Sequence, residues 1–188
     1  MATAAGAPAG TTAPGARPTA GAVVVNEYNA RNVGSGRDFF ELLVTGDGLD
    51  LRGLRISDNE LVDGALNGGE SVFVLGQESF LEDVPAGTLI AVWTDATGVT
   101  PDTRIDPAAG DRSLVLAPGT GVETGRDGLA DPVATGLQTA GDALYVYLPG
   151  ADGTSAGTDN VYLDFVSWED DRADPPPGLS DLNLPDPA

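Results

Sequence analysis

The side chains best suited to chemistry are two glutamates, Glu27 and Glu41, which lie in neighbouring predicted strands. Glycoside hydrolysis uses two carboxyl groups about 5–10 Å apart, so a carboxylate-only hydrolase is one function that this pair could serve. The alternative is structural: each carboxylate accepts hydrogen bonds from loop backbone N–H groups, or pairs with Arg52 or Arg55. In either case, the two strands allow the glutamates to face one another or the edge of the sheet.

Aspartates in two glycine-rich loops are the candidate metal ligands. Calcium takes six to eight oxygen ligands from carboxylates and carbonyls, and both loops are rich in such groups. Neither loop has the spacing of an EF-hand, and loop aspartates more often form turns by accepting local backbone N–H bonds. Calcium is therefore a candidate beside the simpler expectation of no cofactor. The residues concerned are Asp95, Asp102, Asp106 and Asp111 in the first loop, and Asp152, Asp159 and Asn160 in the second.

A group of polar-edged aromatic side chains is the candidate binding surface. Tyr145 and Tyr147 alternate with aliphatic residues, which predicts that both tyrosines lie on the outward face of one strand. Tyr162 and Trp168 fall in the following predicted strand, and the four together could bind a carbohydrate or a protein partner. The alternative is that they form cross-strand aromatic pairs, which only stabilise the sheet.

Composition excludes several classes of function. The chain has 188 residues, 29 acidic and 9 basic, with a net charge of -20, and it contains no Cys, His or Lys. This excludes zinc fingers, thiol nucleophiles, Ser-His-Asp triads, P-loops and Schiff-base lysines. So acidic a surface also disfavours nucleic acid and anionic lipid. No apolar stretch reaches the roughly 18 residues of a membrane span. We therefore expect a protein that acts by binding or assembly, with no catalytic residues.

The predicted elements are short strands separated by turn residues, a pattern typical of an antiparallel β-sandwich or barrel. Helix is scarce, and only residues 79–83 are expected to form a single turn. A second weak helical candidate, 59–66, is interrupted by Gly64. The predicted strands span 23–29, 39–45, 72–75, 89–93, 114–117, 143–148 and 161–168.

A change of phase marks Gly53 as a special backbone position. Leu49 and Leu51 share one phase of a two-residue alternation, whereas Leu54 and Ile56 share the opposite one. Gly53 lies at the change, so we expect a β-bulge or bend there with a backbone conformation that glycine adopts at no steric cost.

Composition also divides the chain into three segments. Residues 1–21 are rich in Ala, Gly, Pro and Thr, and they predict a flexible arm that lacks the basic start and apolar stretch of a signal peptide. Residues 22–170 form the predicted domain, in which 94–141 are expected to be a loop-rich insertion. Residues 171–188 are expected to be a Pro-rich tail.

Three segments in order resemble the lamin tail domain family in its bacterial form. Residues 23–28 (VVVNEY) resemble its opening strand, and residues 38–42 (DFFEL) resemble its second strand. Residues 49–59 (LDLRGLRISDN) are similar to its "LxGxxLSD" stretch. Weaker matches at 84–88, 141–144 and 161–168 extend the resemblance to most of the predicted domain.

The resemblance implies an immunoglobulin-like antiparallel β-sandwich without one fixed activity. The family has acids at the positions of Glu27 and Glu41 without catalysis, which favours a structural role for both. Its bacterial members are non-catalytic modules of surface or secreted proteins. The residues that the resemblance marks as fold-defining are Asn26, Glu27, Glu41, Gly53, Ser57 and Asp58.

The leading hypothesis is a non-catalytic structural or adhesive module in an extracellular, cell-surface or particle-surface assembly, such as a cell envelope, filament or virion. Its expected partners are other protein chains, including copies of itself, and not nucleic acid or a membrane interior. The first alternative is a carbohydrate-binding module, calcium-dependent or not. The second is the carboxylate-only hydrolase.

Overall fold

The computed structural model describes residues 15–30, 38–66, 71–126, 137, 141–151, 153, 159–168, 174–180 and 183–184. The secondary structure in these ranges is all β, as predicted, apart from two single 3-10 turns, Ser79–Leu81 and Pro107–Ala109. The first of these turns was predicted, and the second was not. None of the helical turns within these ranges has the length and hydropathy needed to cross a bilayer. The strands are β1 Val23–Asn29, β2 Phe39–Val44, β3 Arg55–Ser57, β4 Leu61–Val62, β5 Ala65–Leu66, β6 Ser71–Leu75, β7 Leu89–Trp93, β8 Ser113–Pro118, β9 Gly121–Arg126, β10 Asp142–Leu148, β11 Val161–Trp168 and β12 Asn183–Leu184.

Ten of these strands form one mixed sheet that is nearly closed into a barrel. Their order is β1-β2-β7-β8-β9-β6-β3-β10-β11-β12, and β4 and β5 form a separate hairpin. The pairs β7–β8, β8–β9 and β11–β12 are parallel, so the expectation of a wholly antiparallel sheet is wrong. The connection from β7 to β8 is long enough for the crossover that a parallel pair usually requires. Strands β8 and β9 are joined by only two residues, and their parallel contact is confined to residues 117–118 and 121–122.

Strand β8 changes neighbours along its length. Residues 113–116 pair with β7, and residues 117–118 pair with β9. The predicted loop-rich insertion 94–141 therefore supplies two strands in the middle of the sheet, of which one, at 114–117, was predicted. Strand β9 escaped prediction because its Gly, Glu and Thr residues have no apolar alternation.

The main core fills the interior of this curved sheet. Phe40, Leu42 and Val44 of β2 alternate inward and are fully buried, as their alternation predicted. Phe40 packs edge-on against Phe73 of β6, with ring centroids 5.4 Å apart. Burying one such side chain contributes about 1.5–3 kcal/mol to the free energy that stabilises the folded state.

The first strand of the sheet, β1, meets β11, its last long strand, along a seam. The Gly21 N–H donates to the Leu163 carbonyl at 2.8 Å, and the Val25 N–H donates to the Asp164 carboxylate at 2.7 Å. One aromatic pair also crosses the seam, and it is described with Trp168 below. No strand ladder joins β1 to β11 among the described residues, so isolated hydrogen bonds and side-chain packing hold the seam together.

Gly53 adopts the bend that the change of phase predicted. Its φ is +75°, and its N–H donates to the Leu75 carbonyl at 2.8 Å. The turn lets Leu51 and Leu54 both point into the core.

We expect Gly53→Val to lower the free energy of unfolding by about 1–3 kcal/mol because a β-branched residue is strained at this φ. Urea unfolding tests this, and an unchanged midpoint would show that the site tolerates a side chain.

Part of the predicted flexible arm is docked on the domain. The Gly15 N–H donates to the Glu82 carbonyl at 3.1 Å, and the Ala16 N–H donates to the Gly48 carbonyl at 2.9 Å. A Cβ on Gly15 would lie within 2.5–2.8 Å of three backbone atoms, so only glycine fits there. Pro18 is also buried. Residues 15–21 are therefore not a free arm, and residues 1–14 lie outside the described ranges.

Removing the docked segment should destabilise the domain. We expect deletion of residues 1–20 to lower the free energy of unfolding by about 1–3 kcal/mol, since several backbone hydrogen bonds of about 1 kcal/mol each are lost. Deletion of residues 1–14 is the matched control, because it leaves the hydrogen bonds of Gly15 and Ala16 with Glu82 and Gly48 in place. Equal urea midpoints for the two truncated proteins would contradict the docking.

Candidate functional site

A β-bulge at Asn26 sets which side chains of β1 face outward. The register of β1 against β2 shifts between Val25 and Glu27, so Asn26 is the extra residue. Without this shift, strict alternation from the inward Val25 would turn Glu27 into the core and Tyr28 out of it. The bulge places Glu27 outside, directly opposite Glu41, and Tyr28 inside.

The two glutamates begin a row of side chains that crosses four strands. Glu27 pairs with Glu41, Glu41 with Ala91, and Ala91 with Val115, which joins β1, β2, β7 and β8 on one outer face. Glu27 is exposed and Glu41 is half-buried. The Asn26 side-chain amide donates to Glu41 Oε1 at 2.7 Å, which fixes the orientation of that carboxylate.

An aromatic pair lies beside this row. Phe39 and Trp93 are cross-strand partners, with ring centroids 5.1 Å apart and an interplanar angle of 41°. Both side chains are half-buried, so part of each ring is open to solvent. Neither residue was predicted as a site residue. The sequence did contain a signal for both. Each is a large aromatic residue at an outward position of a strand whose inward positions are already apolar.

The loop after β7 converts this flat face into a cleft of about 500 Å³. Asp95 holds the start of the loop by accepting from the Thr97 N–H at 2.8 Å, and Asp102 ties its end to β8 through two backbone bonds with Val115. The small side chain of Ala91 leaves room at the floor. We call this the acidic-aromatic cleft; it is lined by Glu27, Phe39, Glu41, Ala91, Trp93, Thr97, Gly98, Val99, Thr100 and Val115.

The carboxylates of the cleft have no cationic partner within the described part of the chain. The ion pairs found there join Arg52 to Asp50 and Glu82, and Arg104 to Asp106. The Arg55 side chain donates to the Gly153 carbonyl. The predicted pairing of Glu27 or Glu41 with Arg52 or Arg55 is therefore wrong, because these arginines are engaged elsewhere.

The candidate calcium ligands accept hydrogen bonds within turns. Asp95 accepts from the N–H and the hydroxyl of Thr97, and these bonds lower the pKa of its carboxyl below the ordinary value. Asp102 accepts from the Arg104 N–H, Asp106 from the Ala109 N–H, and Asp159 from the Ala151 N–H. Asp152 lies outside the described ranges. Where the structure is described, no three acidic residues converge on one point.

Three of the four predicted aromatic side chains are fully buried and Tyr162 is half-buried, so they do not form one open surface. Tyr145 and Tyr147 do share one face of β10, but both are fully buried with Phe165 in a second core cluster. The hairpin β4–β5 covers this face, and the Tyr145 hydroxyl accepts from the Leu61 N–H at 3.2 Å and donates to the Asp174 carbonyl at 3.0 Å. Tyr162 packs against the rim of the same cluster.

Trp168 lies on the opposite face of the sheet from the tyrosines. It is fully buried in the main core and stacks on Tyr28, with ring centroids 4.1 Å apart and an interplanar angle of 17°. It therefore belongs to the barrel seam. The alternative interpretation, cross-strand aromatic pairs that stabilise the sheet, describes Tyr145, Tyr147 and Tyr162 correctly.

The hairpin that covers the tyrosines was missed, although the sequence signals it. Asp63 and Gly64 have φ values of 53° and 84° at the turn, and Asp-Gly is a preferred pair for tight hairpins. The predicted weak helix over 59–66 is therefore wrong. The strands of the hairpin are only two residues long, so periodicity could not identify them.

Ser57 and Asp58 are buried beside this hairpin, which fits a structural role. The Ser57 hydroxyl accepts from the Asn59 N–H at 3.0 Å and from its side-chain amide at 2.8 Å. The Asp58 N–H donates to the Ser71 carbonyl at 3.4 Å. This polar group ends β3 and directs the chain towards β4.

A second cleft of about 450 Å³ is formed by loops near Phe80 and Ile105. Its acidic residues are Asp47 and Asp83, and Asp47 accepts from the Ala86 N–H at 3.1 Å. The second cleft has only one aromatic side chain among its lining residues, Phe80, and therefore no aromatic pair. The acidic-aromatic cleft is therefore the better candidate for a binding site.

Comparison of the chain with protein-family models, curated proteins and solved structures finds no match.

Proposed function

We propose that this chain is a non-catalytic adhesive or structural module of an extracellular or particle-surface assembly, and that it binds its partner through the acidic-aromatic cleft. The observation that carries the proposal is the juxtaposition of an open aromatic pair, Phe39 and Trp93, with two outward carboxylates. Aromatic side chains flanked by polar groups are typical of binding surfaces. The rigid sheet beneath them holds the surface in one shape.

We further propose that the fold is a variant of the immunoglobulin-like sandwich that the lamin tail resemblance implies. The change of neighbours in β8 supports this, because it divides the curved sheet into a four-strand layer, β1-β2-β7-β8, and a layer of the remaining strands. The bulge at Asn26 and the bend at Gly53 lie within the segments that carry the resemblance.

The carboxylate-only hydrolase is a second candidate, since Glu27 and Glu41 are direct cross-strand partners in a cleft. Against it, a carboxylic acid that must stay protonated near neutral pH needs a dry surrounding. Glu27 is exposed, and the cleft is open to water. Binding without turnover is therefore the function that the geometry favours.

Ligand screening by NMR tests this proposal, with methyl glycosides and blocked amino-acid amides as probes. We expect at least one class to bind the parent protein and to lose about tenfold in affinity in Trp93→Ala, because the cleft loses its largest face. Phe80→Ala is the matched control, since it removes a half-buried aromatic ring from the second cleft. Binding that Phe80→Ala abolishes and Trp93→Ala does not would move the function to the other cleft.

The same samples distinguish binding from hydrolysis. We expect no turnover of p-nitrophenyl glycosides by the parent protein. Turnover that Glu27→Gln or Glu41→Gln removes would replace the proposed binding function by the hydrolase.

A further inference from the structure

We propose that the acidic-aromatic cleft binds the cationic side chain of an arginine or lysine on a basic segment of a protein partner. This inference rests on the proposed function and adds the chemistry of its ligand. It is carried by charge complementarity between that side chain and the two glutamates, and by the faces of Phe39 and Trp93.

The first argument is the cost of the glutamate pair in the free protein. Cross-strand partners have Cβ atoms about 4.5–5.5 Å apart, and like charges at that separation destabilise a sheet. The Asn26 amide bonds one oxygen of Glu41, but it carries no charge that could neutralise the pair. A cation seated between Glu27 and Glu41 would relieve this repulsion, which a neutral sugar would not.

The second argument is the aromatic pair on the adjacent row. A cation within about 6 Å of an indole or phenyl face is attracted by the ring, most strongly by tryptophan. A guanidinium group can stack on such a face and donate to a carboxylate at the same time. Phe39 lies two residues from Glu41 along β2, and Trp93 lies two residues from Ala91, the cross-strand partner of Glu41, on the same face of the sheet. All four side chains line one cleft, so one arginine side chain can contact both features.

The third argument is long-range attraction. The chain has a net charge of -20, so a basic partner is steered towards it and a second copy of the same chain is repelled. Such attraction weakens with salt, because the screening length is about 10 Å at 0.1 M. The short-range contacts of the cleft then select where the basic side chain binds.

The test uses the blocked tripeptide acetyl-Gly-Arg-Gly-amide and the same peptide with citrulline, a neutral group of nearly the same shape. NMR titration of the full chain should show that the arginine peptide binds at least about tenfold more tightly than the citrulline peptide. Glu27→Gln/Glu41→Gln should remove most of this difference, and Trp93→Ala should weaken binding several-fold. The control variant Asp63→Asn/Glu123→Gln removes two exposed charges elsewhere on the surface. It should change the affinity for the arginine peptide less than twofold.

A second readout separates this role from a structural one. If Glu27 and Glu41 repel each other in the free protein, Glu27→Gln should raise the urea unfolding midpoint. The same variant should weaken the binding of the arginine peptide. Equal binding of the arginine and citrulline peptides, or equal losses in the two double variants, would overturn the inference. Binding of a methyl glycoside with no binding of the arginine peptide would also overturn it and leave the proposed function intact. Binding of neither would overturn both.

Discussion

Replacing Trp168 with alanine is expected to lower the free energy of unfolding by about 3–5 kcal/mol, the usual cost of removing a large buried aromatic side chain. Trp168 is fully buried, and its stack on Tyr28 joins β11 to β1 across the seam. The expected loss of stability therefore has two causes: a cavity in the core and the loss of a contact that holds β1 against β11. Urea unfolding followed by circular dichroism measures it.

Trp93 provides the matched control, because the chain has only two tryptophans. Trp93→Ala should cost about 1 kcal/mol or less, since its ring is half-buried and packs mainly on Phe39. The two variants should therefore separate stability from binding, with Trp168→Ala affecting the first and Trp93→Ala the second. If Trp168→Ala stays as stable as the parent, the barrel is not closed by this stack. Trp168→Phe gives a milder variant if the alanine protein fails to fold.

Replacing Asp164 with alanine is expected to lower the free energy of unfolding by about 1–2 kcal/mol. The carboxylate accepts the Val25 N–H across the seam, and its loss leaves a partly buried donor without an acceptor. Asp164→Asn is the matched control, because its amide oxygen can accept the same bond. At pH 7, the urea unfolding midpoint of Asp164→Ala should therefore be clearly lower than those of the parent protein and of Asp164→Asn. Equal stability of the alanine and asparagine variants would show that water replaces the carboxylate.

Asp164 should also make stability depend on pH. Burial raises the pKa of its carboxyl above the ordinary value of 3.8, although the N–H groups of Val25 and Phe165 partly oppose this. The folded protein therefore holds this proton to higher pH than the unfolded chain does. The stabilising contribution is complete below the unfolded pKa and is lost as pH rises through the folded pKa.

Comparison with Asp164→Asn isolates this contribution from that of the other acids. The stability of the parent relative to the asparagine variant should fall as pH rises from about 3 through the folded pKa, because the variant has no carboxyl to ionise. Unfolding midpoints measured over that pH range test the sign. A difference that grows in the parent's favour as pH rises would show that Asp164 is stabilised as the anion.

Local patterns predicted much of the sheet because they depend on neighbours in the chain. Short apolar segments between turn residues gave correct positions for β1, β7 and β11, alternation gave that of β2, and the change of phase at Gly53 gave the bend with positive φ. Strands β9 and β12 and the hairpin β4–β5 were missed. Strand β9 has no apolar alternation, and β4, β5 and β12 are only two residues long, so no local period marks them.

The candidate site shows the same division. The sequence indicated that Glu27 and Glu41 could face one another, and they are direct cross-strand partners. It did not indicate that a bulge at Asn26 would turn Glu27 outward, or that the loop after β7 would enclose Phe39 and Trp93. Both depend on the register of strands and the path of a long crossover.

The sequence by itself determined the all-β class, most strand positions, the acidic charge and the absence of thiol, imidazole and amine chemistry. Only the tertiary structure decided which outward faces reach solvent. Tyr145 and Tyr147 point away from the main core, yet a hairpin and the C-terminal segment cover them, whereas Trp93 stays open. Alternation fixes on which side of a strand a residue lies, because it follows from backbone geometry. Whether that side is covered depends on segments distant in sequence, and those contacts exist only in the folded chain.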